Sequence, residues 1–398
     1  MSPKVATPSL ASKALGMGAM TGVSRILGLF RSQIMAALLG TSALGDAFFV
    51  AFRFPNLLRR LFAEGAMSAG FIPVFTELLG KKSTVGPRAD QLYLEKIFTL
   101  LLTSVSILAI LAIAFAPMIL DLYYVGDPNL DAASKMHSRL LFQIMFPYLL
   151  FISLASICQG VLNVKNEFML PAATPIFLNL AIIAGAFAFT FFYKDHTDPA
   201  KVYYLALGVL VGGLLQFLLQ VPRLYALGYR LRLDFGFIDP EVGRFVKLLI
   251  PTIFSAGIYQ LNILLTDPLA LALGEGAFSA LNYSIRLQEL PLGMIVVSIA
   301  TVSLPQFSRS VAEKKESLLS EQIARSLTLT SVILFPIILA SLFFGKEIIS
   351  LLYAWGSFDQ KAVSLTASCF FYHILSILFV GFARILTNVF FALQDTRT

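Results

Sequence analysis

Two arginines, Arg25 and Arg31, interrupt the stretch SRILGLFRSQIMAALLG, residues 24–40, which otherwise reads as a membrane-spanning helix. A guanidinium keeps its charge there, and at mid-bilayer it costs from about 2.5 to well over 10 kcal/mol unless it meets a wet cavity or a partner. Arg25, Gly28 and Arg31 are spaced i, i+3, i+6, which keeps them within about 120° on one side of a helix. Gly28 removes the side chain that would crowd a bound group between them. Arginine grips phosphate oxygens through a planar two-point fork, so the chemistry implied is the holding of an anion, a phosphate or pyrophosphate head, against a cavity wall.

The elements that must carry this face are set by composition. Hydrophobic residues make up 57% of 398 and charged residues 13%, and the mean hydropathy is +0.80, far outside soluble averages. Runs of roughly 20 apolar residues, enough to cross a hydrocarbon core, predict helices near 14–39, 44–78, 93–119, 138–163, 170–193, 202–227, 246–271, 277–304, 323–353 and 362–392. These runs lack the alternation of an outer-membrane barrel, so the expected fold is an all-α integral membrane bundle of about ten transmembrane helices. The second is too long for one straight crossing and carries Pro55, Gly65 and Gly70, which predicts a break or bend. Arg25 interrupts the first apolar stretch and no A-x-A site follows it, so that segment reads as a retained helix and not a signal peptide.

Basic residues fix the expected orientation. With the N-terminus cytoplasmic, seventeen of the thirty Lys and Arg fall in inside segments and six in outside loops, as the positive-inside rule requires. The remaining seven are all arginine and lie within spans: Arg25, Arg31, Arg53, Arg59, Arg60, Arg286 and Arg384. Weak internal matches recur at offsets of 234, 232 and 228 (AFFVAFR with SALNYSIR, IPVF with LPQF, FISLAS with FVGFAR), the mark of a duplicated lobe. The expected division is an N-terminal lobe over 1–227, a cytoplasmic linker over 228–247 and a partial C-terminal lobe over 248–398. The duplication would close the second lobe near residue 460, so at least two helices of it are expected to lie outside this chain.

Other chemistries find little footing. His137, His196 and His373 lack metal-ligand spacing, Cys158 and Cys369 lie within predicted helices, and there is no Walker A pattern and no Ser/His/Asp set. The net charge of +7 resides in short topogenic clusters without interleaved aromatics, a pattern for anionic lipid and not for nucleic acid. Against the seven interior arginines stand Asp46, Glu64, Asp267 and Glu289, leaving positive charge in excess. No enzyme is implied.

At SRILGLFR, GDAFFVAFRFPNLLRRLFAEGAMSAGFIPVF and NYSIRLQELPLG the sequence closely resembles the MurJ (MviN) family of lipid II flippases, within the multidrug/oligosaccharidyl-lipid/polysaccharide exporter superfamily, over about residues 14–396. The resemblance implies a bacterial inner-membrane protein that carries undecaprenyl-pyrophosphate-linked peptidoglycan precursor, lipid II, from the cytoplasmic to the periplasmic leaflet by alternating access. The family's cavity arginines fall on Arg25, Arg31, Arg59 and Arg286, with Ser24 beside the first as a further substrate contact; its functional acids fall on Asp46, Glu64 and Glu289, as ion-pairing or gating groups. The pattern departs at Ser32, where family members often carry an acid. Fourteen helices are usual in the family, against ten here. A proposed sodium site draws partly on helix eleven; Asp267 is a candidate contributor, ordinary helix-end placement being the alternative. No cofactor is expected beyond sodium or membrane-potential coupling. The expected partners are lipid II, membrane lipids and the cell-wall synthesis machinery. A flippase for another polyprenyl-pyrophosphate glycan, and a non-transporting scaffold for wall synthesis, are the alternatives.

Overall fold

The computed structural model describes residues 10–80, 89–124, 131–193, 195 and 197–394, with the backbone alone at 10–15, 63–66, 68, 69, 255, 256, 258, 259 and 261. His196 therefore lies outside the described residues, as does the side chain of Glu64. Every regular element among them is helical. In chain order these are α1 (Leu10–Leu39), α2 (Ala43–Arg59), a π-helical stretch (Arg60–Phe71), α3 (Ile72–Gly80), α4 (Ala89–Ala114), α5 (Ala116–Tyr123), α6 (Ala132–Met145), α7 (Tyr148–Val164), α8 (Met169–Phe192), α9 (Ala200–Leu218), α10 (Val221–Ala226), α11 (Pro240–Leu271), α12 (Ala277–Pro291), a second π-helical stretch (Leu292–Val296), α13 (Val297–Ala312), α14 (Glu316–Tyr353) and α15 (Gln360–Ala392).

Among the described residues eight helical segments are long and apolar enough to cross a membrane. Two further expected spans, 44–78 and 246–271, are helical but fall outside that set. The irregularity expected in the second helix takes the form of the first π-helical stretch, which begins at Arg60, after Pro55, and contains Gly65 and Gly70.

By packing, the chain divides into two compact units, Met1–Glu275 and Gly276–Thr398. The repeat placed its boundary at 228–247; by contacts α11 belongs with the first unit, where it packs against the first π-helical stretch.

In the first unit α1 lies along α8, and α8 along α9. The α8–α9 approach needs glycine: a Cβ on Gly185 would fall 2.4 Å from the Tyr204 carbonyl oxygen. The core gathers Met67, Phe71, Phe75, Tyr93, Ile157, Cys158 and Phe245, with Phe71 stacked on both Phe75 and Tyr93 at 5.1 and 5.5 Å. Loops segregate to two ends. At one, Ser42 caps α2 and the Ala43 amide donates to Glu275 Oε1 at 3.1 Å, so the turn after α1 and the turn after α11 are neighbours. At the other, Arg244 pairs with Glu77 at 2.5 Å, Arg223 with Glu167, and the Tyr229 hydroxyl donates to Asp90 at 2.8 Å. Segments grouped on one side by their basic residues thus meet at one end.

In the second unit α15 is the common partner of α12, α13 and α14. Phe307, Ile385, Val389 and Ala392 form its core cluster. Tyr283, Tyr353 and Phe358 pack as a trio with centroids 5.4 to 5.7 Å apart. Polar side chains join the helices: Ser284 Oγ and His373 Nδ1 are 2.6 Å apart, and Gln288 donates to the His373 carbonyl and to Ser376 Oγ, both at 2.8 Å. Hydrogen bonds of this kind supply cohesion where lipid competes equally for apolar contacts.

Candidate functional site

The arginine face of α1 meets one polar residue of α8. Arg31 Nη1 donates to Asn179 Oδ1 at 3.0 Å, while Asn179 Nδ2 donates to the Ser24 carbonyl at 3.0 Å. Asn179 is 5% exposed, and both ends of its amide are used, which sets its orientation. A Cβ added at Gly28 would lie 3.6 Å from Asn179 Nδ2. The space that the sequence reading assigned to a ligand beside Gly28 is therefore where the Asn179 amide sits, and Gly28 brings α1 close enough for Arg31 to be held. Ser24 takes part through its backbone. Ser32, standing where family members often carry an acid, bonds back to the Gly28 carbonyl at 2.9 Å.

Arg25 is half-buried one side-chain register away and forms no hydrogen bond or ion pair among the described residues. Measured from the α1–α2 turn at 1.5 Å per residue, Arg25 lies about 21 Å deep and Arg59 about 24 Å, with Arg31 at about 12 Å. Arg59 is half-buried, with Nε donating to Asn56 Oδ1 at 3.2 Å. Asp46 is 7% exposed in the first turn of α2, where the positive helix end favours a carboxylate. It lies about 20 Å along the axis from Arg59, so these two do not share a level. In the second unit Arg286 and Glu289 pair with each other at 2.8 Å on α12, with side chains 46% and 48% exposed.

Sequence reasoning missed one constellation and one residue. Arg53 Nε and Nη2 bind both oxygens of Asp267, at 2.5 and 2.7 Å, and the Tyr123 hydroxyl donates to the same carboxylate at 2.6 Å. The Asp267 side chain is 3% exposed. Three helices, α2, α5 and α11, are tied here. The pair is 214 residues apart in sequence, so no spacing announces it; the available signal was the need of a buried acid for a buried base. Asn179 was missed because a lone Asn in an apolar helix has no motif.

The fold is a polytopic helical bundle that carries guanidinium groups within its long apolar helices. The same fold occurs in an inward-facing multidrug resistance MATE family transporter of the MOP superfamily, at TM-score 0.66 and 12% identity, covering 96% of this chain and 88% of that one. A solved lipid II flippase MurJ in an inward closed conformation is more similar, at TM-score 0.80 and 27% identity, covering 96% of this chain and 76% of that one. In sequence the chain is 36% identical over 394 residues to the probable lipid II flippase MurJ of Treponema pallidum, covering 98% of this chain and 72% of the relative. It is 33% identical to the lipid II flippase MurJ of Burkholderia cenocepacia, covering 96% of this chain and 73% of the relative. The family model described as Lipid II flippase MurJ matches residues 35–398. The chain belongs to the lipid II flippase MurJ family, as the motifs around Arg25, Arg59 and Arg286 implied, and is a multi-pass membrane protein.

Proposed function

We propose that this protein moves lipid II across the bacterial inner membrane, from the cytoplasmic to the periplasmic leaflet, by alternating access with its N-terminus cytoplasmic. Arg25, Arg31 and Arg59 hold the pyrophosphate with Ser24 beside them, and Arg286 is a further substrate-binding residue; Asp46, Glu64 and Glu289 take and release basic partners as the conformation changes. The observation that carries this reading is the contact between Arg31 and Asn179: a guanidinium on a membrane-spanning helix has one edge oriented by a buried amide oxygen 3.0 Å away, in a group whose planar fork suits phosphate. Family membership supplies the substrate class.

The test is a leaflet-accessibility assay for lipid II in cells depleted of their own flippase and supplied with this protein. Exposure of lipid II on the outer leaflet, lost in Arg31→Ala at unchanged membrane level, supports the reading. Full exposure by Arg31→Ala refutes the role of this face. No exposure by the unaltered chain at normal membrane level turns the substrate assignment toward another lipid-linked glycan.

A further inference from the structure

Between α10 and α11 the backbone runs without helix from Tyr229 to Asp239, yet it is not a loose linker. It is bound to the first three turns of α4. The Tyr229 hydroxyl donates to Asp90 Oδ2 at 2.8 Å. The Gln91 side chain donates to the Arg230 carbonyl at 2.7 Å and accepts from the Arg230 amide at 3.1 Å. The Asp234 amide donates to Thr99 Oγ1 at 2.8 Å, and Lys96 Nζ to Asp239 Oδ2 at 2.6 Å. From Asp90 to Thr99 these anchors follow about 14 Å of helix.

The side turned away from α4 has a different character. Leu233 is 59% exposed, Phe235 61% and Ile238 fully exposed. Arg230 and Arg232 are exposed among them, with the Arg230 guanidinium 4.7 Å above the Tyr225 ring. Of the acids of the strap, Asp239 is paired with Lys96 of α4, and Asp234 accepts the Gly236 amide within the strap at 2.8 Å. The outward face therefore combines large apolar side chains with two arginines that form no ion pair among the described residues. Its depth is set by its neighbours, because it leaves the end of the span Ala200–Ala226 and lies on the start of the span Ala89–Ala114. An apolar row flanked by arginines at that level matches the boundary between anionic headgroups and acyl chains.

We propose that residues 229–239 are an interfacial lipid anchor. Leu233, Phe235 and Ile238 enter the headgroup–acyl boundary, Arg230 and Arg232 bind phosphates of anionic phospholipid, and α4 is the rigid backing that fixes the bundle's height relative to that leaflet. The assignment is independent of which lipid is transported.

Trp355 is the single tryptophan of the chain, which permits a site-specific probe. The full-length chain carrying Trp355→Phe and Ile238→Trp is reconstituted in phosphatidylcholine vesicles with and without phosphatidylglycerol, using acyl-brominated lipid as quencher. Ile238 is fully exposed, so its replacement disturbs no packing; Phe235→Trp in the same background is the second probe. The expected result is blue-shifted emission quenched by brominated chains, with quenching at least about twofold greater in phosphatidylglycerol vesicles and that increment removed by Arg230→Gln with Arg232→Gln. Emission typical of water without quenching at both positions overturns the anchor. Quenching indifferent to phosphatidylglycerol and to the arginine changes overturns the assignment of anionic lipid as its partner.

Discussion

Arg53 and Arg31 lie on consecutive helices, about 15 and 12 Å from the turn that joins them, yet their guanidinium groups meet different partners. Arg53 is gripped in two-point fashion by a carboxylate that also takes the Tyr123 hydroxyl, closing charge against charge among three helices. Arg31 donates to the Asn179 amide, a neutral group that aims one edge of the guanidinium. The difference teaches that depth and residue type do not by themselves determine how a membrane protein engages an arginine: one fork is closed two-point on a carboxylate, the other meets a single amide oxygen.

The largest effect is expected where the closed pair is opened. Asp267→Asn leaves the Arg53 charge buried without its counter-ion, which costs about 3 to 5 kcal/mol. Thermal unfolding in detergent should show the loss, and Arg53→Gln added to Asp267→Asn should recover part of it, because the stranded charge is then gone. A double variant no better than the single would mean that the carboxylate acts through Tyr123 and not through the arginine.

Next in size is the converse experiment on the amide clamp. Asn179→Asp places a carboxylate against Arg31, and lipid II translocation should fall at least about 30-fold, the low end of what losing one partner of a charge pair costs, with stability retained. Asn179→Ala leaves the charge but not its aim and should fall several-fold less. If Asn179→Asp transports as well as the unaltered chain, the contrast between amide and carboxylate partners carries no functional meaning.

The arginines of this comparison were legible in the sequence, and their pairing was not. Charge in an apolar run is a local property, so Arg25, Arg31, Arg53 and Arg59 stand out at once; which acid meets which base depends on packing between helices hundreds of residues apart, and Asp267 looked like a helix-end residue beside Pro268. The helical class followed from hydropathy alone, and an irregularity in the second helix from its length with Pro55, Gly65 and Gly70, though not its π-helical form. Gly28 was read as room for a ligand because a glycine announces a close approach without saying to what; here the neighbour is Asn179. The grouping of the basic segments at one end was legible because charge near helix ends is again local.

A third pair bounds the comparison from below. Arg286 and Glu289 are one turn apart on α12 with nearly half of each side chain exposed, so solvent screens them and the pair contributes less than about 1 kcal/mol. Glu289→Gln should leave the thermal transition almost unmoved. Any loss of lipid II translocation in that variant then reports on function, as neither the Asp267 nor the Arg53 variants can, since those alter fold and charge together.

The smallest effect concerns the tether of the strap, where sign matters more than size. Burial pushes the Asp239 carboxyl up, but the hydrogen bond and charge of Lys96 and the amide of Glu241 outweigh it and hold the group below its usual range. A carboxyl depressed in the folded state contributes stability at pH values above its ordinary pKa of about 4 and loses that contribution as pH falls through the lower folded value. Amide exchange of residues 229–239 should therefore be flat from neutral pH to about 4, after correction for intrinsic rates, and rise below it. Asp239→Asn retains an oxygen for the Glu241 amide while removing the charge that Lys96 answers, so it should show the raised exchange already at neutral pH and little further response to acid. An acid response in Asp239→Asn as steep as in the unaltered chain would show that Asp239 is not the titrating group.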